Sequence, residues 1–122
     1  MKKFTKEHEW IELINDNEAY VGITDFASHE LGDIVFVDIE KGLNSVVEAD
    51  SSFGIVEAVK TVSDLFMPLS CEILEVNQSV LDTPNLLNDD ANTNWILKVR
   101  ILEPSLLESL LSESEYDELI GR

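Results

Sequence analysis

Hydrophobic and polar positions alternate over most of this chain, in short runs separated by polar turns. The first two runs cover residues 9–14 and 19–24, are rich in Val, Ile, Trp and Tyr, and flank the polar sequence NDNE at 15–18. Alternation of apolar and polar residues, with β-branched and aromatic side chains, is typical of half-buried strands. The pattern therefore predicts a β-hairpin near the start of the chain.

A short helix is predicted after this hairpin, over residues 26–31. Thr24 or Asp25 can serve as its N-cap, because either side chain accepts a hydrogen bond from a backbone amide. Gly32 can end the helix, because glycine tolerates left-handed backbone angles. The chain then returns to strand-like runs, which are predicted at residues 33–39, 46–48, 53–59, 65–69, 72–76 and 95–102.

All predicted strands are short and closely spaced, and no long helix lies between them. Parallel strands need long crossover connections, usually helices, so this spacing favours antiparallel packing. We therefore predict a mainly β fold, a flattened antiparallel β barrel or sandwich, formed by a single domain over residues 1–122. The segment before the last strand contains Pro84 and the polar run NDDANTN, and it shows no apolar periodicity.

The C-terminal part of the chain has a helical period. Its leucines are predicted to share one face of a helix: Leu106, Leu107, Leu110 and Leu111. Ser105 with Glu108, and Ser112 with Glu115, have the spacing of capping boxes, in which each side chain satisfies a backbone donor at a helix start. A helical segment is therefore predicted over residues 105–120.

Composition narrows the range of partners. The chain has 25 acidic and 8 basic residues, a formal net charge of -17, which opposes binding to nucleic acids and anionic membranes. No stretch has the length of a membrane span, and MKKFTKEHEW lacks the apolar run of a secretory signal. Cys71 is the only cysteine, which excludes an internal disulfide and fits a reducing compartment. We expect a cytoplasmic monomer.

Residues suited to catalysis are scarce. The two histidines, His8 and His29, are expected at the surface, and HEWIE at residues 8–12 lacks the second histidine of the zinc-protease motif HExxH. No phosphate-binding glycine loop or nucleophile elbow occurs. Cys71 has no recognisable base partner and is expected to be a buried thiol. We therefore predict no catalytic residue and no metal site, and the residues give an enzymatic function no support.

Lys60 stands out from this background. It is the only cation in FGIVEAVKTVSDLFMPLSCEILEVN, residues 53–77, and it lies where the strand pattern turns over. The flanking strand-like runs place its amine at the exposed bend of a second hairpin. Most exposed lysines only keep a surface solvated, so the position alone implies no function.

The same stretch resembles the lipoyl-attachment hairpin of the glycine cleavage system H proteins, whose pattern is close to G-x-V-E-S-V-K-x-x-S-D-[IL]-x-x-P-[VL]-S-G-E-[IV]-x-E-V-N. The resemblance extends to FTKEHEWIEL near the start, to VGITDFASHELGDIVFVDI after it, to LNDDANTNWILKV, and to the ending EPSLLESLLSESEYDELI. It covers nearly the whole chain, in order and with few gaps.

This resemblance implies a lipoyl/biotinyl-carrier fold, the barrel-sandwich hybrid, and a protein that is not an enzyme but the carrier component of a multienzyme system. Lipoic acid would be joined through an amide to the ε-nitrogen of Lys60 by a lipoyl ligase or transferase. The arm would take an aminomethyl group from the pyridoxal-phosphate-dependent glycine decarboxylase to the aminomethyltransferase, which passes the one-carbon unit to tetrahydrofolate. Dihydrolipoyl dehydrogenase would then reoxidise the dithiol.

The resemblance also implies two acids near the loaded arm. In the family, acidic side chains near HEW and after the attachment lysine hold the amine of the aminomethylated arm, and Glu9 and Asp64 match them by position. A carboxylate is the expected partner of a protonated amine, although both residues are equally compatible with solvent-facing acids. Where some members have a histidine at the end of the short helix, this chain has Glu30 beside His29, and neither is assigned to the site.

Cys71 departs from the family pattern, because it stands where the glycine of S-G-E is usual. If that position requires a positive φ, cysteine costs about 1 kcal/mol or more; if it requires close packing, a small thiol fits. This departure bears on the predicted geometry of the hairpin and not on the prediction of lipoylation.

Two other interpretations remain open. The chain is also compatible with another lipoyl or biotinyl swinging-arm carrier, although biotinyl modules favour Met-Lys-Met where this chain has Val59-Lys60-Thr61. The other alternative is a non-carrier interaction protein on the same scaffold, or a relay that passes lipoyl groups to other acceptors.

Overall fold

The computed structural model describes all 122 residues. The strands are β1 (Lys2–Phe4), β2 (Glu9–Leu13), β3 (Glu18–Ile23), β4 (Ile34–Ile39), β5 (Val46–Val47), β6 (Ser52–Ala58), β7 (Val62–Phe66), β8 (Cys71–Val76) and β9 (Leu97–Ile101). The helices are α1 (Asp25–Leu31), α2 (Gln78–Asp82), α3 (Leu86–Asp90), a 3₁₀ helix (Pro104–Ser109) and α4 (Glu113–Leu119).

Two antiparallel sheets form the body of the protein. The larger has the strand order β1-β2-β3-β9-β8-β5, and the smaller has the order β4-β6-β7. The predicted mainly β, antiparallel class is therefore confirmed, with the sheets separate and forming a sandwich rather than a closed barrel. A cluster of 22 buried residues, drawn from both sheets, forms the main core.

The first hairpin forms as predicted. Asn15 fixes its turn, because the side-chain oxygen accepts hydrogen bonds from the backbone N–H groups of Asn17 (3.2 Å) and Glu18 (2.8 Å). Helix α1 also matches its prediction: the Thr24 hydroxyl accepts from Ala27 N at 3.1 Å, and Gly32 ends the helix with φ of 81°. Thr24, rather than Asp25, is the N-cap.

Cys71 has a simple place in the core. It is fully buried, and it is not among the residues with positive φ, which apart from glycines are His8, Asn44 and Asp50. The possibility that this position needs a left-handed backbone is therefore wrong. The small thiol fits at the start of β8, and burial raises its pKa to about 12, so it stays a neutral core residue.

The sequence patterns missed several elements. Strand β1 was not predicted, and the strand expected at 65–69 lies three residues earlier, at Val62–Phe66. The polar segment without apolar periodicity holds two single-turn helices, α2 and α3. The Asn77 side chain caps α2, whereas α3 has no side-chain cap, and each helix buries one residue, Val80 or Leu87, so they leave little periodic signal.

The C-terminal prediction is correct only in part. The capping box of Ser112 and Glu115 forms and begins α4, but Ser105 makes no cap, because the residues after Pro104 form a 3₁₀ helix. The four leucines therefore do not share one helical face. Leu106 is 45% exposed, and the chain becomes extended after the 3₁₀ helix, so that Leu111 pairs with Phe4 of β1.

Candidate functional site

Lys60 lies in the bend between β6 and β7. The two strands stay paired up to Glu57 and Val62, and the bend is closed by a hydrogen bond from Ala58 N to Thr61 O at 2.8 Å. A second bond, from Val59 N to Asp33 O at 3.0 Å, ties the bend to the start of β4. The backbone beneath the lysine is thus held from two sides.

The Lys60 amine is exposed and unpaired. The residue is solvent-exposed, and no hydrogen bond or ion pair involves its side chain; the two ion pairs of the protein join Arg100 to Glu72 and Arg122 to Asp25. The predicted exposed bend is therefore confirmed. An amine in this position is open to covalent attachment of a group that needs free space around it.

The hairpin below the bend is anchored in the core. Val56 and Leu65, on neighbouring strands, are each about 1% exposed. Gly54 of β6 lies against β4 so closely that a Cβ atom there would stand 2.2 Å from the Asp38 carbonyl oxygen. Only glycine allows this approach, and the tight contact keeps the hairpin on the sandwich.

Glu9 is buried, at 3% exposure, so its interpretation as a solvent-facing acid is wrong. Its carboxyl accepts hydrogen bonds from the Thr5 hydroxyl (2.8 Å) and from Phe66 N of β7 (3.3 Å). Loss of hydration on burial, with a smaller contribution from the charges of Glu7 and Asp50, raises the pKa of Glu9 to about 7 against the lowering effect of those two bonds. The group is therefore poised to change protonation near neutral pH.

Asp64 is in a different environment. It lies in the middle of β7, opposite Ile55, and is exposed. No hydrogen bond connects it to Glu9 or to Lys60. The structure thus brings Glu9 to the end of β7, through the backbone of Phe66, and leaves Asp64 on the outer surface of the same strand.

His8 is not the surface residue that the sequence suggested. Its Nδ1 lies 2.8 Å from the Tyr116 hydroxyl, which is also 2.8 Å from the Thr24 hydroxyl, and its ring packs 4.9 Å from the ring of Phe26. Its φ of 69° turns the chain between Thr5 and Glu9. Tyr116 is 108 residues away in sequence, so no local pattern predicts this contact. His29, in contrast, is exposed as predicted.

Two depressions lie near these residues. One, of about 400 Å³, adjoins Glu9, because it is lined by Thr5, Glu7 and Asp50 together with Leu110 of the C-terminal segment. The other, of about 730 Å³, is polar and acidic and lies between α1 and α3; it reaches the Lys60 bend through Asp33.

The structure gathers no group of three or more His, Cys, Asp and Glu side chains that could hold a metal ion. None of its helices is both long enough and apolar enough to cross a membrane.

A small antiparallel sandwich that presents one free lysine at a braced bend has the form of a carrier module, in which the attached group does the chemistry. Comparison with known proteins makes the class specific. The family model described as Glycine cleavage H-protein matches residues 2–122, and the chain belongs to this family.

Individual relatives agree with this assignment. The chain is 49% identical to the glycine cleavage system H protein of Alkaliphilus oremlandii, over 94% of this chain and 89% of that protein. It is 50% identical to the one of Chlorobaculum tepidum, over 98% and 94%. A crystal structure of a glycine cleavage system H protein from Mycobacterium marinum matches with a TM-score of 0.84 at 36% identity, covering 99% of this chain and 97% of that one.

Proposed function

We propose that this chain, as the lipoyl-carrying H protein of the glycine cleavage system, bears its lipoyl group as an amide on the ε-nitrogen of Lys60. The observation that supports this site is the exposed, unpaired amine at the braced bend. The whole chain, residues 1–122, acts as one carrier domain in the cytoplasm. It has no catalytic residue of its own.

The bound group supplies a dithiolane that accepts an aminomethyl group and cycles between disulfide and dithiol. The chain's own residues supply position. The bend closed by Ala58 and Thr61, and tied to Asp33, holds the attachment point still, while the side chain of Lys60 makes no contact that restrains the arm. Amide formation removes the lysine charge, so the arm no longer prefers the acids around it.

The partner enzymes of the glycine cleavage system follow from the family. We assign them as glycine decarboxylase with pyridoxal phosphate, aminomethyltransferase with tetrahydrofolate, and dihydrolipoyl dehydrogenase, each of which would receive the arm in its own active site. A lipoyl ligase or transferase would load the chain first.

Glu9 and Asp64 are assigned to the amine of the loaded arm. Strand β7 leads from the Lys60 bend to Phe66, whose N–H donates to Glu9; it spans about 13 Å from Val62 to Phe66, and an extended lipoyl-lysine side chain measures roughly 14 Å by its bond lengths, so an arm folded back from the bend lies along the strand that leads to Glu9. A protonated amine there would favour the ionised carboxylate, which is nearly half protonated at neutral pH on its own.

The attachment site is tested by intact-mass measurement after incubation with lipoate, ATP and a lipoyl ligase. The unmodified chain is expected to gain one lipoyl group, Lys60→Arg none, and the control Lys41→Arg, at another exposed lysine, one. Failure of the wild-type chain to react would favour the non-carrier interaction protein. Lipoylation without exchange of bicarbonate into glycine, when glycine decarboxylase is present, would instead favour another lipoyl carrier or relay.

The two acids are tested on the loaded protein. Neutralisation by Glu9→Gln or Asp64→Asn is expected to speed release of the aminomethyl group severalfold, because the amine loses a charged partner. The release rate is measured as formaldehyde and ammonia set free in the absence of the other enzymes. Unchanged release in both variants would remove these residues from the site.

A further inference from the structure

The outer face of the three-stranded sheet carries apolar and acidic side chains in alternation. Six residues make up this chequered face: Phe36, Asp38, Ile55, Glu57, Val62 and Asp64. Read across β4, β6 and β7, they form two rows, Phe36–Glu57–Val62 and Asp38–Ile55–Asp64. All six keep solvent-exposed surface, whereas Val37 and Val56, which point to the other side of the sheet, are buried.

Apolar exposure is concentrated around the bend. Phe36 is 47% exposed and Val62 56%, and Val59 in the bend is 70% exposed. Single exposed valines are ordinary on a protein surface, but Phe36 and Val62 stand in the row nearest the bend, and Val59 lies in the bend itself. Exposed apolar groups rimmed by polar ones mark interaction sites.

The charge of the face has one sign. Asp38, Glu57 and Asp64 alternate with the apolar residues, and strands β4, β6 and β7 themselves contain no basic residue. A partner that covers this face must therefore have an apolar centre and basic side chains placed to meet the three acids, because uncompensated acids in an interface would cost affinity.

The reach of Lys60 separates the possible partners. An unmodified lysine has a four-carbon stem, so its amine stands roughly 6 Å from the backbone, and an enzyme that acts on this nitrogen must touch the bend. An enzyme that uses the lipoyl group meets the end of an arm more than twice as long, and it has no need of close contact with the sheet. The chequered face suits the first kind of partner.

We propose that the chequered face, together with the bend, is the surface by which the lipoyl-attaching enzyme recognises this chain, through an apolar centre bordered by basic residues. This inference rests on the proposed attachment at Lys60. It adds the features that the attaching enzyme recognises besides the lysine. The edge strands β4 and β7 each contribute one large apolar side chain, and the acids orient the enzyme as it binds.

The chain offers a matched pair for the test. Val62 on the chequered face and Val46 on β5 of the other sheet are both strand valines with 56% exposure. Lipoylation of the unmodified protein is measured by intact mass with a lipoyl ligase, lipoate and ATP. Val62→Ser is expected to lower kcat/KM about tenfold, through KM, because a buried valine contact is lost. Val46→Ser is expected to stay within twofold of wild type, and circular dichroism checks the fold of both.

The acids and the second edge strand give independent readouts. The double variant Asp38→Asn/Asp64→Asn is expected to slow lipoylation at low salt and to make its rate less dependent on salt. The control double variant Asp16→Asn/Glu103→Gln, which removes two exposed acids outside the chequered face, is expected to keep the wild-type rate and salt dependence. Phe36→Ser, on β4, is expected to repeat the effect of Val62→Ser.

Each other result has a defined meaning. Equal rates for Val62→Ser, Phe36→Ser and Val46→Ser would overturn the proposal while leaving attachment at Lys60 intact. Absence of lipoylation in the wild type would overturn both. If fully lipoylated Val62→Ser lost bicarbonate exchange as strongly as it lost lipoylation rate, the face would belong to the glycine-cleaving enzymes, and its assignment to the attaching enzyme would be wrong.

Discussion

The Lys60 bend and the Glu9 region are built in opposite ways, although one strand, β7, connects them. At the bend, the backbone is bonded and the side chain is free: Ala58, Val59 and Thr61 are held by main-chain hydrogen bonds, while the Lys60 amine meets only solvent. At Glu9 the side chain itself is bonded and buried. The bend presents an amine to the solvent, and the Glu9 region keeps a carboxyl buried and hydrogen-bonded.

This difference shows what each part of a carrier needs. A presented group requires a rigid base and empty surroundings, which a hairpin alone can supply. A buried carboxyl requires hydrogen-bond partners, supplied here by segments distant in sequence, because burial without partners would cost several kcal/mol. Here Thr5, Phe66 and the His8–Tyr116 contact come from three parts of the chain. The bend is thus a local feature and the Glu9 region a tertiary one.

The largest expected effect breaks the base of the bend. Gly54→Ala places a Cβ atom 2.2 Å from the Asp38 carbonyl oxygen, and the neighbouring atoms are backbone with little room to relax, so we expect a loss of about 4 kcal/mol in unfolding free energy. Urea denaturation measures it. Gly42→Ala, where a new Cβ meets nothing within 4 Å, is the control and should change stability by less than about 1 kcal/mol.

A stable Gly54→Ala variant would contradict the view that close contact of β4 and β6 fixes the hairpin. A variant that is unstable but still lipoylated at the wild-type rate when folded would show that attachment needs the bend alone, without its support from the sheet.

The next effect concerns Glu9, whose contribution to the free energy of unfolding depends on pH. The pKa of Glu9 rises from 4.5 to about 7 on folding, so the folded protein binds the proton more tightly than the unfolded chain. Stability from this group is therefore full below pH 4.5 and declines as pH rises to about 7, by up to about 3 kcal/mol, and then stays constant. Glu9→Gln, which has no charge to bury, should lack this decline.

The measurement is the unfolding free energy of both proteins between pH 4.5 and 8. Glu40→Gln, at an exposed glutamate, is the control and should follow the wild-type curve. Parallel curves for wild type and Glu9→Gln would mean that the carboxyl ionises in the folded protein as easily as in water, and that Glu9 is not poised near neutrality.

The same division decides what could be predicted from the sequence. Hairpins, the Thr24 cap and the exposed Lys60 depend on neighbouring residues, and the alternation of side chains together with turn chemistry was enough to predict them. The burial of Glu9 was not predictable in this way, because alternation along β2 does not say that Phe66 N would meet its carboxyl.

The C-terminal segment failed for a related reason. The spacing of its leucines fits a helix, but Pro104 opens a 3₁₀ helix, and Leu111 pairs with Phe4 instead of continuing the helical face. Strand β1 exists because of the same pairing: it lies at the edge of the large sheet, and its partners are β2 and a residue more than one hundred positions away. The hydrophobic periodicity of neighbouring residues does not predict a pairing between residues so far apart in sequence.

The smallest expected effect tests whether the C-terminal helix secures the Glu9 region. Tyr116→Phe keeps the ring stacked on Phe4, at 4.9 Å between centroids, but it removes the hydroxyl that contacts His8 and Thr24. We expect a loss of about 1 kcal/mol in urea denaturation, because His8 Nδ1 loses its partner in a half-buried site.

Tyr20→Phe is the control: Tyr20 also stacks on an aromatic ring, that of Trp95, and its hydroxyl forms no hydrogen bond. Lipoylation of Lys60 should be unchanged in both, because the bend depends on its own hydrogen bonds. If Tyr116→Phe proved as harmless as Tyr20→Phe, the His8–Tyr116 contact would not hold the Glu9 turn, and the left-handed backbone of His8 would be maintained by packing against Phe26 and by the main-chain hydrogen bonds from His8 N to Thr5 O and from Thr24 N to His8 O.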